Sequence, residues 1–268
     1  MFDEFGNRMK GYENKARIYL EPKTPVIIRI DGKAFHTFTR GFQKPFDEIF
    51  MEAMRETMKY LCENIQGCVF GYTQSDEITL LLIDYKKKNQ GAWFGYVKRK
   101  VETIAASMAT MAFNEAFSDV ITEKISEDIM KVQNDEEAEK VKDYYFKYVK
   151  KCGRAMFDAR AFNIPEFEVV NEFIWRQQDC TRNSIQSVGH ANFSDKKMHK
   201  KNMSQIQDML MLKKGINWND FPTFLKRGSC CIKEDYFIPE DELPENHRNN
   251  LSPRTLDPEE DEYGVWRS

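Results

Sequence analysis

The chain has 268 residues with a formal net charge of −3, and 41% of them are hydrophobic and 31% charged. These proportions are typical of a globular protein with a sizeable core and exclude a disordered chain. No apolar stretch approaches the roughly 20 residues that a membrane helix needs, and acidic residues follow Met1 where a signal peptide would carry basic ones. We therefore expect a soluble, cytoplasmic protein without a membrane partner.

Cysteine and histidine spacing indicates neither a disulfide framework nor a zinc site. The 6 cysteines are scattered and include no C-x-x-C pair, and the 4 histidines lack zinc-binding spacing. Acidic side chains are concentrated in residues 234–268, whereas the preceding part of the chain is mildly basic. A basic body is compatible with a polyanionic partner, and a solvated acidic tail is the equally simple alternative.

The first half of the chain predicts strands and helices in a regular order. Residues 26–30 form a β-branched run that ends in Asp31-Gly32, which is typical of a strand followed by a turn. Apolar residues recur at helical spacing after Asp47 and predict a helix there. Two further apolar runs, residues 68–72 and 78–83, flank a polar segment and predict a hairpin with an acidic tip.

The second half of the chain is mainly helical in pattern. We expect a helix over about residues 93–117, a charged helical insertion over about 121–152 and a strand within 155–162. Helices follow over about 168–186 and 203–213, and residues 225–232 resemble a late edge strand. Residues 234–268 are predicted to form an acidic, poorly ordered tail.

Strand, helix, hairpin, helix and strand in this order define an α+β fold of the ferredoxin-like βαββαβ type. The sheet is expected to be antiparallel with helices on one face, followed by a helical C-terminal part. In this arrangement the first and third strands are neighbours at the centre of the sheet.

The two acidic turns are the strongest chemical signal. Asp31 closes the first strand and Asp76 opens the third, so the fold would place both carboxylates at the same end of strands about 4.8 Å apart. Such carboxylates repel one another unless a cation lies between them, and Mg²⁺ prefers these ligands. Gly32, without a side chain, lets its backbone approach a metal or phosphate. Two Mg²⁺ ions at this point would suit phosphoryl or nucleotidyl transfer.

Basic residues supply candidate clamps for a triphosphate, namely Lys44, Lys98, Arg99 and Lys100. Ser75 would donate to a phosphate or hold Asp76. The alternative is that Asp31-Gly32 and Ser75-Asp76 are ordinary turn residues and that the lysines are solvated, since these residue types favour such positions. The residues alone leave both interpretations open.

Several segments occur together in one order along the chain. They are residues 29–36 (RIDGKAFH), 44–45 (KP), 71–77 (GYTQSDE), 93–94 (WF), 157–160 (FDAR), 175–180 (WRQQDC) and 226–228 (KRG). These segments closely resemble the signatures of the tRNA(His) guanylyltransferase family, and the likeness covers about residues 25–232.

The resemblance implies a polymerase-palm-like catalytic domain over residues 1–162 and a helical, tRNA-contacting part over 163–233. It also implies 3′-to-5′ addition of nucleotides to the 5′ end of tRNA after activation with ATP or GTP, and a homo-oligomer, a tetramer by likeness. Asp31, the Gly32 backbone and Asp76 would hold two Mg²⁺ ions, with His36 near the activating nucleotide. The residues implied to bind nucleotides are Gly32, Lys33, Phe35, His36, Lys44, Ser75 and Lys100.

One departure from the family pattern indicates a branch. Asp179-Cys180 is followed by Thr181, where the tRNA(His)-specific enzymes have a histidine. The chain thereby resembles the guanylyltransferase-like branch, whose members repair 5′-truncated tRNA by templated addition. Candidate tRNA contacts are Lys98, Arg99, Arg182, Asn183, Lys197 and Lys200. Three alternatives remain: G₋₁ addition to tRNA(His), a nucleotidyl cyclase, and a non-catalytic RNA-binding module of the RRM type, which shares the βαββαβ order.

Overall fold

The computed structural model describes residues 3–235 and 264–267. The helices are α1 (Glu4–Asn14), α2 (Phe35–Phe38), α3 (Glu48–Asn64), α4 (Lys98–Ile129), α5 (Asp135–Val149), α6 (Val169–Asn192), α7 (Asp195–Met198), α8 (Met203–Lys214) and α9 (Thr223–Arg227). The strands are β1 (Val26–Gly32), β2 (Cys68–Gln74), β3 (Glu77–Leu82), β4 (Phe157–Asn163), β5 (Ser229–Asp235) and β6 (Gly264–Arg267). Among the described residues, no helix is both long and apolar enough to cross a membrane.

The strands form one antiparallel sheet in the order β4-β1-β3-β2-β5-β6. Its first four strands, with α3 and α4 as the connecting helices, are the predicted ferredoxin-like βαββαβ unit, and the α+β prediction is confirmed. The first and third strands are neighbours at the centre, as expected. Strands β5 and β6 extend the sheet beyond β2.

Alternation along the strands separates the two faces of the sheet. Ile28 and Ile30 of β1 are fully buried in the core beneath α3 and α4, whereas Arg29 and Asp31 belong to the opposite face. Helix α6 packs on part of that opposite face, where the Phe173 ring lies 4.6 Å from the Phe70 ring. The expectation of helices on one face is therefore correct for α3 and α4 but not for α6.

Helix α4 is longer than the sequence pattern indicates. It continues past residue 117 to Ile129, and α5 folds back along it, with Tyr145 and Tyr148 buried in the same core as the sheet. Residues 121–152 are therefore the end of α4 and a helix of the main core. Their many charges lie on the exposed faces of both helices and obscure the apolar stripe.

Other boundaries also differ from the sequence interpretation. Helix α6 extends to Asn192 rather than to residue 186. Residues 225–227 belong to α9, which ends at Gly228 with a φ of 78°, so the edge strand begins only at Ser229. A second apolar cluster joins α6 and α8 and includes Val188 and Leu210. The division of the chain into functional parts stays a prediction.

The predicted disordered tail is largely outside the described residues, because 236–263 and 268 are not among them. Of that tail, Gly264–Arg267 form β6 and pair with β5, which contradicts the prediction for these residues. Apolar Val265 and Trp266 within this segment suit a strand at the edge of the sheet.

Candidate active site

A tight hairpin positions the two predicted acidic residues. Gln74 pairs with Glu77, so Ser75 and Asp76 alone connect β2 to β3, and Ser75 adopts the left-handed conformation with a φ of 51°. The backbone N–H of Gly32 donates to the carbonyl oxygen of Asp76 at 3.0 Å. The tip of the hairpin is thereby joined to the end of β1, and Asp31 and Asp76 lie at the same end of neighbouring strands.

Both carboxyl groups carry unfavourable electrostatics. The pKa of Asp76 is raised by burial and then by the neighbouring charge of Asp31. The pKa of Asp31 is raised by burial and then by Asp158, its register partner on β4, although Arg160 and Arg29 oppose this effect. Negative charge is therefore under-compensated at this end of the sheet, which favours a cation there.

The donor set suits a metal that shares its ligands with a nucleotide. Among residues 3–235 and 264–267, no group of three or more His, Cys, Asp or Glu side chains is arranged to hold a metal. Asp31 and Asp76 thus supply two carboxylates, and the remaining positions fall to backbone, water or phosphate oxygens. Mg²⁺ is commonly bound in proteins by one or two carboxylates together with substrate phosphates, so these residues fit it.

A cavity of about 440 Å³ opens beside these acids. It is lined by the end of β1, the α2 segment, the loop before α3 and the hairpin tip, and the predicted site residues in its wall are Gly32, Phe35, His36, Lys44, Ser75 and Asp76. Phe35 belongs to the core and is only 3% exposed, and its ring packs against Gly32. The ring forms part of the cavity wall and leaves no room for a side chain at residue 32.

Asp47, which the sequence analysis identified only as the start of a helix, also anchors the loop that carries Lys44. Its carboxylate accepts hydrogen bonds from the backbone N–H of Phe50 at 3.0 Å and of Gln43 at 2.8 Å. The hydroxyl of Tyr148 donates to the same carboxylate at 2.6 Å. Helix α5 thus contributes to the shape of the cavity, which the local sequence pattern could not indicate.

The predicted basic clamps at the start of α4 lie elsewhere in this chain. Phe157, at the cavity end of β4, donates its backbone N–H to Thr110 at 3.1 Å. Lys100 precedes Thr110 by about 15 Å of helix, in the direction away from the cavity. Lys98, Arg99 and Lys100 therefore do not clamp a triphosphate beside Asp76 within one chain, contrary to that prediction. Lys98 instead lies 3.7 Å from Glu102.

The remaining predicted residues are accounted for as follows. Lys33 is exposed and contributes nothing to the cavity wall. Arg182 is exposed and pairs with Asp179. Asn183 donates to Asp179 at 3.4 Å and borders a smaller cavity. Lys197 and Lys200 are exposed. Their contacts with tRNA, and those of Lys98 and Arg99, stay predictions.

A buried ion pair beside the hairpin tip was missed by the sequence analysis. Arg176 of α6 donates to Glu77 at 2.7 Å, and their side chains are only 7% and 11% exposed. Arg176 also stacks on Trp175, with its guanidinium carbon 3.7 Å from the ring centre. Burial raises the pKa of Glu77 even though Arg176 opposes the shift. An arginine in an otherwise apolar helical segment is the signal that pointed to this pair.

A ferredoxin-like antiparallel sheet with two carboxylates at the ends of adjacent central strands, beside a cavity, defines a nucleotidyl-transfer class of enzyme. Comparisons with known proteins agree. The family model described as tRNAHis guanylyltransferase matches residues 6–165. The chain belongs to the tRNA(His) guanylyltransferase family of nucleotidyltransferases, and the resemblance noted from its sequence is confirmed.

Solved structures show the same relationship. A bacterial tRNA(His) guanylyltransferase (Thg1)-like protein in complex with ATP is 44% identical, with a TM-score of 0.72 over 86% of this chain and 87% of that one. A bacterial Thg1-like protein in complex with GTP is 41% identical, with a TM-score of 0.67 over 88% and 87% of the two chains. The tRNA(His) guanylyltransferase of Schizosaccharomyces pombe is 25% identical and covers 84% of this chain and 79% of its own length.

Proposed function

We propose that this protein adds nucleotides in the 3′-to-5′ direction to the 5′ end of tRNA, in templated repair of 5′-truncated tRNA after activation with ATP or GTP. The observation that carries this proposal is the pair Asp31 and Asp76, whose pKa values are both raised at the edge of a cavity. The bacterial relatives in complex with ATP and GTP support a nucleoside triphosphate as the ligand of that cavity.

The residues of the cavity divide the work of binding. Asp31, Asp76 and the backbone of Gly32 would hold Mg²⁺, which supplies neutralisation of phosphate charge and alignment of the reacting groups. Lys44 and Ser75, both in the cavity wall, are placed to donate to phosphate oxygens, and His36 faces the same space. Ser75 also lies within hydrogen-bond distance of the Asp76 carboxylate, 3.1 Å away.

Two transfers at phosphorus make up the proposed reaction. An oxygen of the tRNA 5′-phosphate attacks the α-phosphorus of ATP or GTP, and pyrophosphate leaves. The 3′-hydroxyl of the incoming nucleoside triphosphate then attacks the activated 5′-phosphorus, and the nucleoside monophosphate leaves. In both transfers the protein's part is positioning and charge stabilisation, for which two carboxylates and a few cationic or hydroxyl donors suffice.

The residue at position 181 supports templated repair over G₋₁ addition to tRNA(His). Thr181 donates its hydroxyl to the backbone carbonyl of Gln177 at 3.0 Å, and its oxygen lies 3.4 Å from the carbonyl of Lys226. Its side chain is thus engaged within the protein. The imidazole that the tRNA(His)-specific enzymes carry at this point is replaced by a short group directed at the backbone.

The test is incubation of the protein with labelled GTP and Mg²⁺, with a 5′-truncated tRNA, with tRNA(His) lacking G₋₁, and without RNA. We expect extension of the truncated tRNA and its loss in Asp31→Ala and Asp76→Ala, whereas Asp119→Ala, an exposed carboxylate on α4, stays active. Extension of tRNA(His) alone would favour G₋₁ addition. A cyclic product without RNA would indicate a cyclase, and RNA binding without any transfer an RRM-like module.

A further inference from the structure

A second, smaller cavity adjoins the one described above. It has a volume of about 150 Å³ and lies between α3, the β2–β3 hairpin, α6 and α9. Ser75 and Ser187 line both cavities, so the two meet at the hairpin tip. The proposed function assigns no ligand to this second space.

A buried amide faces the smaller cavity. Gln74 lines it and is only 6% exposed, and its Oε1 atom has no hydrogen-bond partner among the residues that the structure describes. Leaving a buried acceptor unpaired costs about 1–3 kcal/mol, so such an atom calls for an explanation. A ligand with an N–H group directed at Gln74 would supply the missing partner.

The remainder of the wall favours a flat, largely apolar ligand. Met51, Met54, Phe46 and Phe224 line the cavity. Its charged groups are already committed, since Arg55 pairs with Glu52 and the Asp47 carboxylate accepts three hydrogen bonds from the protein. A phosphate would therefore meet no free cation here. Apolar faces with a hydrogen-bonding edge are the properties of a nucleobase.

We propose that this cavity binds a nucleobase that carries an exocyclic amino group, with Gln74 accepting a hydrogen bond from that group. The connection at Ser75 then directs the attached phosphates towards Asp76. This inference rests on the proposed function and names the second nucleotide of the reaction as the ligand. The base belongs either to a nucleoside triphosphate or to the 5′-terminal residue of the RNA, and the experiment below distinguishes the two sources.

The test measures equilibrium binding, so that it does not depend on turnover. The wild-type protein and Gln74→Leu are compared with GTP and ITP, which differ by one amino group, and with RNAs that begin with guanosine or inosine. Gln66→Leu is the matched control, because the Gln66 side chain bonds to the carbonyl of Gly91 at 3.0 Å and does not line the cavity. Loss of one hydrogen bond to a buried acceptor predicts about tenfold weaker binding of the inosine form.

We expect this tenfold preference in the wild-type protein and in Gln66→Leu, in one of the two ligand series, and its disappearance in Gln74→Leu. An equal preference in the wild-type protein and Gln74→Leu in both series would overturn the proposal, as would the absence of any preference in the wild type. Should Gln74→Leu fail to fold, Met51→Trp narrows the cavity from α3, and unchanged binding in both series would overturn it too. A failure of tRNA extension alone would refute only the proposed function.

Discussion

Removal of the Arg176 side chain tests how the hairpin tip is held. In Arg176→Met the Glu77 carboxylate loses its 2.7 Å partner while it stays buried under α6. Breaking a buried pair by removing one member costs about 3–5 kcal/mol. At about 2–4 °C per kcal/mol for a chain of this size, the melting temperature should fall by roughly 6–20 °C.

The loss should depend on pH in a defined direction. The pKa of Glu77 is already raised above its ordinary value of 4.5, since burial outweighs the effect of Arg176, and without Arg176 it rises further. A carboxyl whose pKa is higher in the folded than in the unfolded protein destabilises the fold as pH rises through and above the unfolded value. The deficit of Arg176→Met should therefore be small below about pH 4.5 and largest at neutral pH.

Thermal denaturation at pH 5 and pH 8 measures both effects. Arg182→Met is the control, because Arg182 lies on the same helix but is 55% exposed at its side chain. The double variant Arg176→Met/Glu77→Leu removes both charges and should recover most of the stability, since apolar replacement of a whole buried pair is close to neutral. Equal losses at the two pH values, or a double variant no more stable than the single one, would refute the electrostatic explanation.

Three further predictions concern the cavity. Asp76→Asn removes a carboxyl with a raised pKa, so the variant should melt above the wild type at neutral pH without added Mg²⁺, by about 1.4 kcal/mol for each unit of that shift, while nucleotide addition is lost. Gly32→Ala would place a Cβ atom 2.3 Å from the Phe35 ring, and urea denaturation should show a loss of about 1–3 kcal/mol. Lys44→Ala should weaken ATP binding about tenfold in calorimetry, whereas Lys100→Ala, about 15 Å along α4 from the cavity end, should have a smaller effect; equal losses would contradict this placement.

The sequence predicts the centre of the fold well because the relevant patterns are local. Alternating apolar runs with short turns define β1, β2 and β3, and the order of elements then dictates which strands are neighbours. The meeting of Asp31 and Asp76 follows from that order and is seen in the bond from Gly32 to Asp76. The roles of these side chains in metal and nucleotide binding stay predictions.

Features that depend on distant parts of the chain could not be predicted in this way. The partner of Glu77 is Arg176, 99 residues away, and no local periodicity indicates which side chain of α6 meets the hairpin. The placement of Lys100 failed for a related reason, since a helix start gives no information about which end of the sheet it lies against. Only the bonds between α4 and β4 show that direction.

The position of Asp76 is therefore set from two faces of the sheet. The end of β1 holds its backbone through Gly32, and α6 holds the next residue through Arg176. Because Asp76 carries a charge that is unfavourable without a cation, the hairpin needs these attachments to keep that charge in place. Substitutions in α6 that touch no substrate are thus expected to affect transfer as strongly as changes in the cavity wall, since both alter where the Asp76 carboxylate lies.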